Sequence, residues 1–255
     1  MRTHELLHAR ATALAGKNPT QRGREKTRQA LMWVHRWGWS SAQTVDRLAG
    51  VKRKGLSARL VRQGLLKATK TESGGAIAGV PRAILTLTTA GVEMAEAAYE
   101  HAVPYCTDPY RINQATLRHD GLAQRATLDG LLAGAISDYR TERELAEGDM
   151  PGRKRFDIIW LNGNVKIGVE VELSRKYQRA LDVFVTGIVG ALASGRVDIV
   201  TIITDNKPLQ KAYMQALKPG SRYGLYDRKN LRWTQVDTAR VPDSAKDSIV
   251  WKILD

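Results

Sequence analysis

The sequence predicts a mixed α/β protein of two domains, and three observations carry that prediction. Basic charge is concentrated at the front: residues 1–100 hold 17 Lys/Arg against 7 Asp/Glu, a balance of +10, out of a whole-chain charge of +14. The front part also runs helix, helix, helix, strand, strand, whereas residues 113–255 run helix, strand, strand, strand, helix, strand. Between them, His101 to Ile112 carries Pro104 and Pro109 and reads as a linker. The expected division is therefore 1–100, 101–112 and 113–255.

Residues 5–15 have the apolar spacing of a helix, and the Gly16-to-Gly23 stretch that follows reads as a break or basic arm. From Arg24 to Trp37, apolar residues at Ala30, Leu31, Val34 and Trp37 fall at helical spacing, and Gly38 stops the run. Ser40-Ser41 offers an N-cap to a second helix bearing Val45, Leu48 and Ala49, ended by Gly50. A basic turn, Lys52-Arg53-Lys54, leads into a third helix over 56–66, burying Leu56, Leu60 and Val61 while Arg59, Arg62 and Gln63 face outward. Lys67–Lys70 and Ala83–Thr88 read as strands around a Gly-rich tip, and Thr88-Thr89-Ala90-Gly91 opens a helix to Tyr99.

In the second part a helix is expected from Asn113 to about Ile136, then a first strand over 138–145. Asn162-Gly163 is a hairpin turn between two β-rich runs, 155–160 and 165–174. Alternation along the second run puts Val169, Val171 and Leu173 on one face and Glu170 and Glu172 on the other. Asp157 on the preceding run brings a third carboxylate within reach. Like charges gathered in this way repel unless a cation offsets them, and carboxylate oxygens are the ligands that hard divalent ions prefer. The competing reading is an edge hairpin whose acids pair with Arg153, Lys154, Arg175 and Lys176. A helix over 175–193, a buried strand over 197–204, a helix over 207–217 and a short strand at 223–226 complete the order.

Composition limits the function classes. The pI near 10.0 points to a polyanionic partner, and a basic front patterned for a core favours nucleic acid over a polar tail. No apolar run approaches the roughly 20 residues of a membrane span, and the start of the chain shows no signal-peptide pattern, so a cytoplasmic protein is expected. Cys106 is the single cysteine, which excludes an internal disulfide framework and a Cys-based zinc site. The five histidines form no His-x-His pair, which disfavours a histidine-cluster, tyrosine-nucleophile relaxase.

Three short helices and a two-stranded wing, closing on Leu85-Thr86-Leu87-Thr88-Thr89-Ala90-Gly91, resemble a winged helix-turn-helix. The resemblance implies that the helix at 56–66 enters a major groove of duplex DNA with Arg59, Arg62 and Gln63, while Lys52, Arg53 and Lys54 contact phosphates. Lys67, Lys70 and Arg82 of the wing would touch flanking backbone. The second part is similar to the PD-(D/E)XK nuclease superfamily over about residues 113–204, a restriction-endonuclease-like α-β-β-β-α-β core. That likeness implies Asp157 and Glu170 as ligands of Mg²⁺ or Mn²⁺, with Glu172 standing where the superfamily has lysine and Lys176 supplying the missing positive charge. Glu142, Glu144 and His119 are additional candidates. The block Val169-Glu170-Val171-Glu172-Leu173-Ser174-Arg175-Lys176 behind a winged helix also resembles the replication-relaxation family and the MobC-type relaxases of mobilisable plasmids. This implies metal-dependent cutting of one strand at an origin of transfer, alongside relaxosome proteins or a coupling protein. A non-catalytic regulator or accessory relaxosome protein, and a double-strand endonuclease, are the alternative expectations.

Overall fold

The computed structural model describes residues 18–50, 55–99, 103–146, 154–229 and 232–254. The chain is mixed α/β and divides into two compact units, Met1–Ala135 and Ile136–Asp255.

In the first unit, helix α1 spans Pro19–Trp37. It starts five residues before the apolar periodicity does, because Asn18 and Gln21 form a reciprocal capping box (2.9 and 3.0 Å) and Pro19 occupies the first turn. The expected break over 16–23 is thus corrected from residue 19 onward. Gly38, at φ 82°, ends the helix in the left-handed conformation. Helix α2 (Ala42–Leu48) is capped by Ser41, and α3 covers Leu56–Arg62, a turn shorter than expected. Asp46 accepts from the Ser57 N–H (2.8 Å) and hydroxyl (2.9 Å), tying α2 to the start of α3. Strands β1 (Leu66–Lys70) and β2 (Ala83–Leu87) pair antiparallel, and α4 (Thr89–Glu96) follows with Thr88 as its cap. The core joins Leu31, Val34, Val45, Leu60, Leu66, Leu85 and Leu87.

Two 3-10 turns (Pro109–Arg111 and Gln114–Thr116) lead into α5, Leu117–Leu132. The sequence assigned this helix to the second domain; its packing assigns it to the first unit. Gln124, 1% exposed, accepts from Ser40 Oγ (2.7 Å) and Trp33 Nε1 (3.2 Å) and donates to the Trp39 carbonyl (3.0 Å). Arg47 pairs with Asp129 at 2.6 Å. Buried polar groups need partners, and those of Gln124 lie on and beside α1.

The second unit is a five-stranded mixed sheet in the order β3-β4-β5-β6-β9, with helices α7 (Gln178–Ala193) and α8 (Lys207–Ala216) and a separate hairpin. Strands β3 (Asp138–Thr141), β4 (Ile158–Asn162) and β5 (Val165–Glu172) pair antiparallel in succession; β6 (Ile199–Thr204) then pairs parallel to β5, and β9 (Ile249–Ile253) parallel to β6. Gly163, at φ 58°, makes the tight β4–β5 turn. Strand β5 is therefore internal, which removes the edge placement of the competing reading, whereas two of its ion pairs, Lys154 with Glu170 and Lys176 with Glu172, are present. The predicted first strand stops at Thr141, and Glu142–Ala146 form a short helix, α6. Strands β7 (Arg222–Lys229) and β8 (Arg232–Arg240) pair as a long hairpin where the sequence suggested only a short strand. Phe156, Phe184, Val185, Ile188, Ile202 and Tyr213 centre the core. Among the described residues no helix is long and apolar enough to cross a membrane.

Candidate active site

Residues 168–172 of β5 are buried on both faces, as expected of a central strand with neighbours on either side. Alternation sends Val169 and Val171 one way, while Glu170 and Glu172 point to the side occupied by Phe184 of α7 and Tyr213 of α8. Their side chains are almost wholly enclosed, at 4% and 6% exposure. Carboxylates are seldom buried without partners, so the partners define what this place can do.

Asp157 lies just before β4, and its Oδ2 accepts from the Val171 N–H at 2.8 Å. Val171 is the residue between the two glutamates, so this bond fixes Asp157 beside both. Lys154 Nζ donates to Glu170 Oε2 at 2.5 Å, and the same ammonium lies 5.8 Å and 5.5 Å from the centres of the Phe156 and Phe184 rings. Lys176 Nζ donates to Glu172 Oε1. The Tyr213 hydroxyl stands 3.0 Å from both Glu172 Oε2 and the Ser174 carbonyl, either of which it can donate to. Glu170 Oε1 is buried with no hydrogen-bond partner.

Burial first, and then the neighbouring Asp157 charge, push the Glu170 carboxyl up to about 8; Lys154 opposes this without outweighing it, and Glu172 adds to it. The ion-pair geometry with Lys154 therefore coexists with a carboxyl that holds its proton at neutral pH. Burial, followed by Glu172, likewise raises the Tyr213 hydroxyl, which remains a donor.

Among the described residues, no group of three or more His, Cys, Asp or Glu is arranged to hold a metal ion. Lysine ammoniums sit against the two glutamates instead. The side chains of Asp157, Glu170 and Glu172 offer oxygen atoms only, the ligand type of hard cations, and one of them, Glu170 Oε1, is sealed from water without a hydrogen-bond partner.

The other sequence candidates have partners of their own. Glu144 Oε2 accepts from the Thr141 N–H (2.7 Å) and hydroxyl (3.1 Å), a cap at the start of α6, and Glu142 faces Arg155 at 3.9 Å. Both leave the strand on which they were expected. His119 belongs to α5 in the first unit and pairs with Asp120 at 3.0 Å. Lys154 and Tyr213 join the site without a sequence signal for that role. Lys154 appears in the sequence only as one of four possible ion-pair partners. Tyr213 is spaced four residues from Leu209 and Leu217, which marks a core face and says nothing of its hydroxyl.

Of the DNA-contact candidates in the first unit, Arg62, Gln63, Lys67, Lys70 and Arg82 are exposed. Arg59 is half-buried and turns to the Thr27 hydroxyl (3.2 Å), which gives it a packing role between α3 and α1. Lys67 lies 6.0 Å from the centre of the Tyr110 ring. Lys52, Arg53 and Lys54 lie outside the described residues. Comparison of the chain with protein-family models, with curated proteins and with solved structures gave no match.

Proposed function

We propose that the chain is a metal-dependent DNA endonuclease of the nicking, relaxase-like kind, acting at a specific site such as the origin of transfer of a mobile element. In this reading the first unit is a winged helix-turn-helix that holds duplex DNA, and the second is a PD-(D/E)XK-like nuclease. The single observation that carries it is Glu170: a buried carboxyl with an unpartnered oxygen, beside Asp157 and Glu172. A purely structural core has no use for that arrangement, since an apolar residue of similar volume would avoid the cost of burying it. Asp157, Glu170 and Glu172 would hold Mg²⁺ or Mn²⁺. Such an ion polarises a scissile phosphate and lowers the pKa of its water. Lys176 and Lys154, released from the acids, are placed to meet phosphate oxygens, and Tyr213 holds Glu172 in one orientation. Relaxosome partners follow from the same reading.

A second reading, a non-catalytic DNA-binding regulator or accessory relaxosome protein, is favoured by one fact: each glutamate already has its own lysine. Supercoiled plasmid carrying the origin region of the associated mobile element, incubated with Mg²⁺ or EDTA, separates the two. Metal-dependent relaxation that disappears in Glu170→Ala is expected. Salt-sensitive binding without cleavage supports the regulator, and linear product supports a double-strand endonuclease.

A further inference from the structure

The loop leaving β5 turns its side chains alternately in and out. Lys176 reaches in to Glu172, whereas Arg175 and Tyr177 are exposed, Tyr177 by 64%. The Arg175 guanidinium lies 5.1 Å from the centre of the Tyr177 ring. Arg179, on the first turn of α7, lies 5.7 Å from the centre of the Trp233 ring on β8, which is itself 43% exposed. The hairpin that bears Trp233 is fastened to α7, because the Tyr226 hydroxyl donates to Asp182 Oδ2 at 3.2 Å. Gly224 permits that approach, since a Cβ there would stand 3.0 Å from Asp182 Oδ2. At the bend between Tyr177 and Arg179, Gln178 takes φ 45°, a left-handed conformation that is unfavourable for a residue bearing a side chain. Strain of this kind persists where the surroundings demand it and gathers at functional sites.

Two exposed aromatic rings, each accompanied by an arginine and set at the exit of the strand that bears Glu172, have a specific chemistry. The ring face stacks on a nucleobase and the guanidinium meets the phosphate or stacks in turn. A duplex hides its base faces, so only an unpaired strand can use such a platform. We propose that Arg175, Tyr177, Arg179 and Trp233 form a binding site for single-stranded nucleic acid on the second unit, separate from duplex recognition by the first. The site requires no metal and stands whether or not the acids cut.

The test uses the full chain in EDTA, which silences any cleavage, with fluorescence anisotropy on a labelled oligothymidine of about 16 nucleotides and a duplex of equal length. Tyr177→Ala and Trp233→Ala should each weaken oligothymidine binding by about tenfold while duplex binding stays within about twofold, and Tyr177→Phe should bind as wild type. Both side chains are exposed, and thermal melts establish that the variants fold. Unchanged oligothymidine affinity in both alanine variants, or equal weakening on both ligands, would identify the arginine–aromatic pairs as ordinary surface contacts and overturn the proposal. If plasmid relaxation is absent while the oligothymidine effect is present, the nuclease reading fails and this one holds.

Discussion

Glu170 concentrates the physics of the site in one carboxyl. Its folded-state value of about 8 lies above the 4.5 of the free side chain, so between those limits the folded protein holds a proton that the unfolded chain releases. The contribution of that proton to stability is complete below about pH 4.5 and is lost as pH rises through about 8. Its size is on the order of a few kcal/mol. Glu170→Gln cannot ionise and keeps the shape, so its melting temperature should gain on wild type by several degrees between pH 5 and pH 9 in EDTA. Added Mg²⁺ should restore part of the loss in the wild type by taking the proton's place, and should do nothing for the glutamine variant. Thermal melts across that pH range, with and without metal, check both halves; parallel pH profiles for the two proteins would remove Glu170 as the titrating group.

Strand β5 presents that carboxyl, and its fit depends on Gly168. A Cβ at 168 would stand 2.6 Å from Phe156, whose ring is 1% exposed and carries the Lys154 ammonium 5.8 Å from its centre. Gly168→Ala should therefore cost about 1–3 kcal/mol through overpacking. Gly190, inside α7 with nothing within 4 Å of its Cβ position, should behave oppositely, with Gly190→Ala stabilising by about 0.5–1 kcal/mol. Urea denaturation of the pair measures the contrast. The same strand shows what a sequence can disclose. Two-residue alternation and the Asn162-Gly163 turn made β4, β5 and the side taken by the acids legible, because both signals are local. Two capping boxes, Asn18 to Gln21 and Thr141 to Glu144, are as local but are masked by polar, Pro- and Gly-rich or strand-like surroundings, so apolar periodicity starts α1 late and α6 resembles a continued strand. Lys154, Tyr213 and the placement of α5 depend on contacts across 16, 41 and more than 80 residues of chain, to which periodicity is blind.

For the whole molecule, the +14 charge makes the proposed duplex binding one that salt should weaken. Each phosphate neutralised by a cation on duplex DNA contributes about −0.9 to the slope of log affinity against log salt. Arg62, Lys67 and Arg82 are exposed in the first unit, at the end of α3 and on or beside the β1–β2 hairpin. If they meet the backbone, alanine at each should flatten that slope by about 1 and weaken binding nearly uniformly across sequences. Gln63 carries no charge and sits next to Arg62 at the end of α3. Gln63→Ala should leave the slope intact while eroding discrimination between the true site and a scrambled duplex, because an amide reads base edges rather than releasing counterions. Anisotropy titrations from 50 to 200 mM salt, on specific and scrambled duplexes, distinguish the two kinds of contact. A slope that stays unchanged in all three cation variants would move the duplex-binding surface away from α3 and the wing.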